Sequence, residues 1–158
     1  MYQAGIHNVV ANSGTILSQY QVDLLGRFTK NIVVIYDGDE AGQHAIERSS
    51  KLLLQGGMNV SVVILEDGND PDSYIKERGQ EEFLSYLTQN TQDAIIYQIE
   101  NMLHSEEPPV IYSQKLSDIL EEISFIQNPV QQVVYLQRCA EKTGIHQTIL
   151  YKLLEHFK

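Results

Sequence analysis

The sequence of 158 residues is 42% apolar, enough for one domain, or a small domain with an appended part, to build a sizeable core. Asp and Glu outnumber Lys and Arg 21 to 11, for a formal net charge of −10, so the net field repels nucleic-acid phosphates and any contact with them needs help from elsewhere. The single Cys139 excludes an intramolecular disulfide, no apolar stretch approaches the roughly 20 residues of a membrane span, and no basic leader precedes a short apolar core. A cytoplasmic protein without a membrane partner is the expectation.

In chain order, "MYQAG" has the form of a last helical turn closed by Gly5, followed by a short strand at Val9–Ala11. An isolated turn is unstable because nucleation is costly, so sequence upstream of Met1 is expected to complete that helix. Ser18 and Gln21 form an S-x-x-Q capping box, and Val22, Leu25 and Phe28 recur at helical spacing. "NIVVIY" predicts a buried strand, "EAGQHAIERSSKLLLQGG" a helix closed by Gly56 and Gly57, and "NVSVVIL" a second buried strand. β-Branched runs alternating with helices imply an α/β fold with a parallel sheet and right-handed crossovers.

After Leu65 the strand signal stops. From about Pro71 onward only helices are predicted, with Leu116, Ile119, Leu120, Ile123 and Ile149, Leu150, Leu153, Leu154 as their buried faces. The paired prolines of "HSEEPPV" mark the best candidate hinge between the α/β part and the helical part. No internal repeat or low-complexity segment interrupts this plan.

The chemistry concentrates in "YDGDEAG". Asp37 and Asp39 follow the predicted strand 32–36, at the carboxyl end where open α/β sheets place their ligand crevice. Two carboxylates about 4 Å apart repel by roughly 4 kcal/mol at an effective dielectric near 20, so such a pair persists with a cation, a shared proton or generous hydration. Mg²⁺ suits it: the ion prefers carboxylate oxygens and leaves positions open for substrate phosphates. The competing structural role is a cap for the following helix, whose positive end favours acids. Capping explains one aspartate, not two set among Gly38 and Gly42 behind a buried strand.

A second acidic run, "EDGNDPDSYI", follows the next strand in the same relative position, so parallel pairing would bring Asp67, Asp70 and Asp72 toward the first pair. Asp70 before Pro71 equally has the form of a helix N-cap with proline at the first position. An EF-hand is excluded, since counting from Asp67 no glycine stands at the sixth place and no glutamate at the twelfth. The five histidines and Cys139 show no zinc-ligand spacing, and the nine tyrosines do not alternate with basic residues. Ser13, Gly14 and Thr15 could hold a phosphate, although a plain turn accounts for them.

Taken together, the "GT" turn, "DGDEAG" and "DGNDPD", in this order and at these intervals, resemble the TOPRIM region of bacterial DnaG-type DNA primases over nearly all of residues 4–75. The helical tail, including "NPVQQVVYLQRCAEKTGI", is similar to the subdomain that follows TOPRIM in those polymerase cores. The resemblance implies a partial TOPRIM-type parallel sheet over residues 1–90 and an all-helical subdomain over 91–158. It implies Asp37 and Asp39 as the DxD ligands of catalytic Mg²⁺ or Mn²⁺, with Asp70 and Asp72 as a supporting acidic pair. Asp67 has no such counterpart, and Asn12 and Ser13 replace the apolar residue or glycine usual before "GT".

That family adds a glutamate from an "EGY"-type motif on the first strand, which this sequence lacks. It also carries a zinc-binding domain, a basic half of the core and a domain that binds the replicative helicase, all absent here, so zinc is expected only outside this chain. The activity implied is synthesis of RNA primers from ribonucleoside triphosphates on a single-stranded DNA template, and the 158-residue chain alone is expected to be inactive. Other TOPRIM enzymes, of topoisomerase or nuclease type, share the acids but need a tyrosine nucleophile or nuclease module that the sequence does not identify. A haloacid dehalogenase-like phosphatase expects threonine where Ala41 stands. A non-enzymatic nucleotide- and metal-docking unit is the third alternative.

Overall fold

The structure, a computed structural model, describes residues 1–11, 17–37, 40–65 and 69–157. A 3-10 turn at Tyr2–Ala4 is closed by Gly5, whose φ of 84° is a left-handed conformation that costs glycine little. Helix α1 (Gln19–Leu25) starts at the expected capping box: Ser18 Oγ accepts from the Gln21 amide at 3.4 Å, and Gln21 Oε1 accepts from the Ser18 amide at 2.8 Å. Val22 is fully buried and Leu25 half-buried, but Phe28 lies beyond the helix end and is 81% exposed. Its place in the apolar stripe is thereby corrected, because the helix stops at Leu25 and the stripe stops with it.

Strands β1 (Asn31–Tyr36) and β2 (Asn59–Ile64) flank helix α2 (Glu40–Gln55) and pair in parallel, with Ile32 opposite Val60 and Tyr36 opposite Ile64. Alternation then assigns two faces. Ile32, Val34, Tyr36, Val60 and Val62 point into the main core, while Ile35, Val63 and Leu65 join Tyr74, Phe83 and Ile6 in a smaller cluster. Helices α3 (Pro71–Arg78) and α4 (Gln80–Asn90) supply that second layer.

Two strand expectations are corrected. Val9–Ala11 is in no strand: Val10 is 74% exposed, and no described neighbour offers this segment a backbone ladder. Conversely, Gln92–Asp93 forms β3, antiparallel to Ser61 and Val62, so the sheet is mixed, in the order β1-β2-β3. The expectation of helices alone from about Pro71 onward is therefore overturned at this two-residue strand and holds for the other described elements. Two polar residues carry no alternation for a sequence pattern to detect.

The remaining helices are α5 (Ala94–His104), α6 (Pro109–Ser124), α7 (Pro129–Thr143) and α8 (Gln147–Leu154). On α6 the expected face is buried in full: Leu116, Ile119, Leu120 and Ile123 are all under 8% exposed. On α8 only Leu150 and Leu154 are buried, whereas Ile149 and Leu153 are 52% and 42% exposed. Packing on α6 and α7 uses one i, i+4 stripe of this short helix and leaves the adjacent stripe in water. The main core runs without a break from Val22 and Ile46 through Val62 and Ile99 to Leu120, Leu136 and Leu150. The paired prolines accordingly join two helices of a shared core, with Pro109 opening α6, and do not form a hinge between separately packed parts.

Candidate metal centre at the strand ends

The apolar run of β1 carries the chain through the sheet and releases it at Tyr36, whose partly buried hydroxyl lies 3.0 Å from the Ala45 carbonyl oxygen and 2.6 Å from Ser49 Oγ. Burial raises the Tyr36 pKa, and the Ser49 hydrogen bond partly offsets it. These contacts fasten the middle of α2 to the end of β1. Asp37 is the next residue, and it is exposed. Its neighbour Asp39 lies outside the described residues, as do Asp67 and the Ser13, Gly14 and Thr15 turn.

Parallel pairing continues to the strand ends, where the Leu65 amide donates to the Tyr36 carbonyl at 2.9 Å. Asp37 and Leu65, just past the end of β2, therefore lie at one edge of the sheet, as parallel pairing requires. Tyr86 of α4 secures the second of these ends by donating to the Ile64 carbonyl at 2.8 Å.

Further along the chain, Asp70 caps α3. Its Oδ1 accepts from the Ser73 amide at 2.8 Å and the Asp72 amide at 2.7 Å, while Ser73 Oγ accepts from the Asp70 amide at 3.0 Å. The backbone bonds from Ser73 and Asp72 hold the Asp70 carboxyl below its usual pKa. Asp72 Oδ2 pairs with Lys76 Nζ at 2.5 Å, one turn along. Capping is thus the contact observed for Asp70, with both backbone bonds on one oxygen. Among the described residues no group of three or more His, Cys, Asp or Glu side chains could hold a metal ion.

Away from this edge, a buried carboxyl belongs to no motif of the sequence. Glu122 of α6 and Gln98 of α5 are buried and hydrogen-bonded to each other at 2.7 Å. Glu122 follows Ile119 by three residues and borders the apolar stripe of α6 on the Ile119 side, a position whose burial the period of the helix leaves open. Its partner on another helix was not readable either.

Residues 1–75 match the Toprim-like family. The DNA primase of Clostridium acetobutylicum is 36% identical over 159 residues, an alignment covering 98% of this chain and 26% of that protein. A DNA primase domain from Pseudomonas aeruginosa superimposes with a TM-score of 0.82 at 26% identity, over 98% of this chain and 50% of that one. The chain belongs to the bacterial DNA primase family. A DnaG primase catalytic domain solved bound to single-stranded DNA is also similar, with a TM-score of 0.69 and 26% identity over 89% of this chain and 46% of the other. The primase-family match runs through α5 to α8 as well as the Toprim-like part, since these alignments leave out little of the chain. The chain spans about a quarter of the length of the curated primases it matches, at 26% and 25%. The Toprim-like match includes Asp37, Asp39, Asp70 and Asp72.

Proposed function

We propose that this chain is the Toprim and helical portion of a primase catalytic core, with residues 1–90 as the Toprim part and 91–158 as the helical subdomain. In the complete protein it would take part in Mg²⁺-dependent synthesis of RNA primers from ribonucleoside triphosphates on single-stranded DNA. The observation that carries this reading is the placement of Asp37 at the carboxyl end of β1, beside the end of β2, within the Toprim-like match. The relative solved with single-stranded DNA supports a DNA template. A replicative helicase partner and a cytoplasmic place of work follow from the same assignment.

Mg²⁺ fits the chemistry of an all-carboxylate donor set. Since the described residues alone form no three-donor group, the set depends on Asp39. Asp37 and Asp39 would hold the ion, with Asp72, and the Asp70 oxygen not used in capping, in support. When bound, the ion would neutralise charge on the transferring phosphoryl group and the departing pyrophosphate. In the reaction a primer 3′-hydroxyl attacks the α-phosphate of the incoming nucleotide, the bond to the β-phosphate breaks and pyrophosphate leaves. The chain's own contribution is placement, through a strand end fixed by Tyr36 and a helix fixed by Asp70.

Template-directed primer synthesis by the full-length protein tests this, comparing wild type with Asp37→Asn and Asp39→Asn. Each substitution should lower the rate by at least about 100-fold, the scale of losing an electrostatic stabiliser in an active site. Unchanged rates in both would remove the assignment. The 158-residue chain by itself should make no primers, since it spans half of the Pseudomonas domain and carries a net charge of −10.

A further inference from the structure

Helices α2, α5 and α6 enclose a cleft of ≈ 210 Å³ that lies apart from the strand ends. Its floor holds Glu122 and Gln98, which are 3% and 9% exposed, beside Met102 and Ile119. Gln98 Nε2 donates to Glu122 Oε2 at 2.7 Å, so a buried carboxyl on α6 is tied to a buried carboxamide on α5.

The charges around it matter. From α2 the cleft is lined by Glu47, Arg48 and Lys51, and from α6 by Lys115 and Asp118. From α5 only uncharged side chains line it, with Tyr97 close enough for Glu47 to raise its pKa after the larger effect of burial. No described residue of α7 or α8 lines it. Lys51 is already paired with Glu121 at 2.6 Å, and Lys115 with Glu107 at 2.8 Å. Both ammonium groups are thus neutralised by other carboxylates.

We propose that Glu122 is a protonation-controlled joint, which in its neutral form seats α2 against α5 and α6 and in its ionised form loosens that seat. A neutral carboxyl can remain among Gln98, Met102 and Ile119, whereas a carboxylate there has one hydrogen bond and, among the described residues, no ion pair, although the Arg48 guanidinium lines the same cleft. Burial is the largest influence on Glu122 and raises its pKa to about 7; the Gln98 bond and Lys51 pull down, Glu47 and Asp118 push up.

The sign follows. The folded value lies above the ordinary 4.5, so the native state holds an extra proton between the two. Stability is full below the ordinary value and is lost as pH rises through about 7. The effect reaches the strand end because α2 is fastened at Ser49 to Tyr36, the residue before Asp37. The joint needs neither metal nor DNA, so it goes beyond the proposed catalytic role.

Thermal melts of the 158-residue chain from about pH 5 to about pH 8 test it against Glu122→Gln, an uncharged mimic, and Glu141→Gln, which removes an exposed α7 carboxylate paired with Arg138 outside the cleft. The melting temperature of wild type and of Glu141→Gln should fall by several degrees, relative to Glu122→Gln, as pH rises through about 7. Amide protection in α2, α5 and α6, corrected for the base catalysis of exchange itself, should fall over the same range in wild type and in Glu141→Gln but not in Glu122→Gln. Equal pH dependence of wild type and Glu122→Gln would overturn the proposal. Should Glu122→Gln not fold, a carbon-NMR titration of the wild-type carboxyl decides: a midpoint near 7 upholds the joint, and one near 4.5 discards it.

Discussion

The Tyr135 hydroxyl donates to Asp93 Oδ2 across 2.5 Å, tying α7 to the two-residue strand β3. The other oxygen of the same carboxylate accepts from the Ile95 and Ile96 amides at 3.0 and 3.1 Å, so Asp93 also caps α5. One side chain thus joins sheet, helix start and a helix 42 residues away. Hydrogen bonds to a charged group contribute about 1.5–3 kcal/mol, and Tyr135→Phe should destabilise the chain by that amount in urea unfolding. Asp93→Ala should cost about 1 kcal/mol more, because the cap goes too. A Tyr135→Phe midpoint equal to that of wild type would show the contact to be energetically idle.

Tyr135 also sets an alkaline limit. Burial, then the Asp93 contact, raises its pKa well above the ordinary 10.0. The folded state therefore favours the protonated phenol, and its contribution is present below pH 10.0 and lost as pH rises through the higher folded value. Wild-type melting temperature should consequently drop more steeply above about pH 10 than that of Tyr135→Phe. Parallel curves would assign the alkaline loss to other groups.

Asp70 separates capping from metal support. Its folded pKa is depressed, so its contribution is present above the ordinary 3.8 and disappears as pH falls through the lower folded value. Asp70→Ala should lower the melting temperature at pH 7 and narrow its gap to wild type in strong acid. Asp70→Asn keeps a capping oxygen and removes the charge. Reduced Mn²⁺ affinity of Asp70→Asn at unchanged melting temperature would place the residue in the metal set, and equal affinity would leave it a cap alone.

For Asp37 and Asp39 the expected outcome is a weak, pH-dependent divalent-metal site in this chain. Asp37→Asn or Asp39→Asn should abolish Mg²⁺ or Mn²⁺ binding by calorimetry while the melting temperature holds or rises slightly, because one repelling charge is removed. A purely capping role predicts instead about 1 kcal/mol lost from α2 and no change in metal binding.

Gly56 probes the packing between α1 and the end of α2. A Cβ there would meet Val22 Cγ1 at 2.5 Å, and Val22 is fully buried. Gly56→Ala should cost about 1–3 kcal/mol, the range for overpacking, with part of the loss recovered when Val22→Ala is added. Additive losses in the double variant would place the cost elsewhere.

Much of this molecule is local, and that much was legible in the sequence. The Ser18 and Gln21 capping box, the Gly5 cap, the Asp70–Pro71 start of α3, strands β1 and β2, and the buried stripe of α6 depend on residues within a few positions of one another. Backbone sterics, cap hydrogen bonds and apolar periodicity act at that range. The acidic strand end of β1 was legible too, because a carboxylate behind a buried strand must emerge at the sheet edge. Tertiary structure decided the rest. It paired Gln92–Asp93 with β2, left Val9–Ala11 unpaired among the described residues, and chose Leu150 and Leu154 over Ile149 and Leu153. It also set Glu122 against Gln98 and Tyr135 against Asp93, partners 24 and 42 residues apart. A sequence pattern states which face of an element avoids water; which polar group waits on the opposite surface depends on how the elements pack, and that packing carries no local signature.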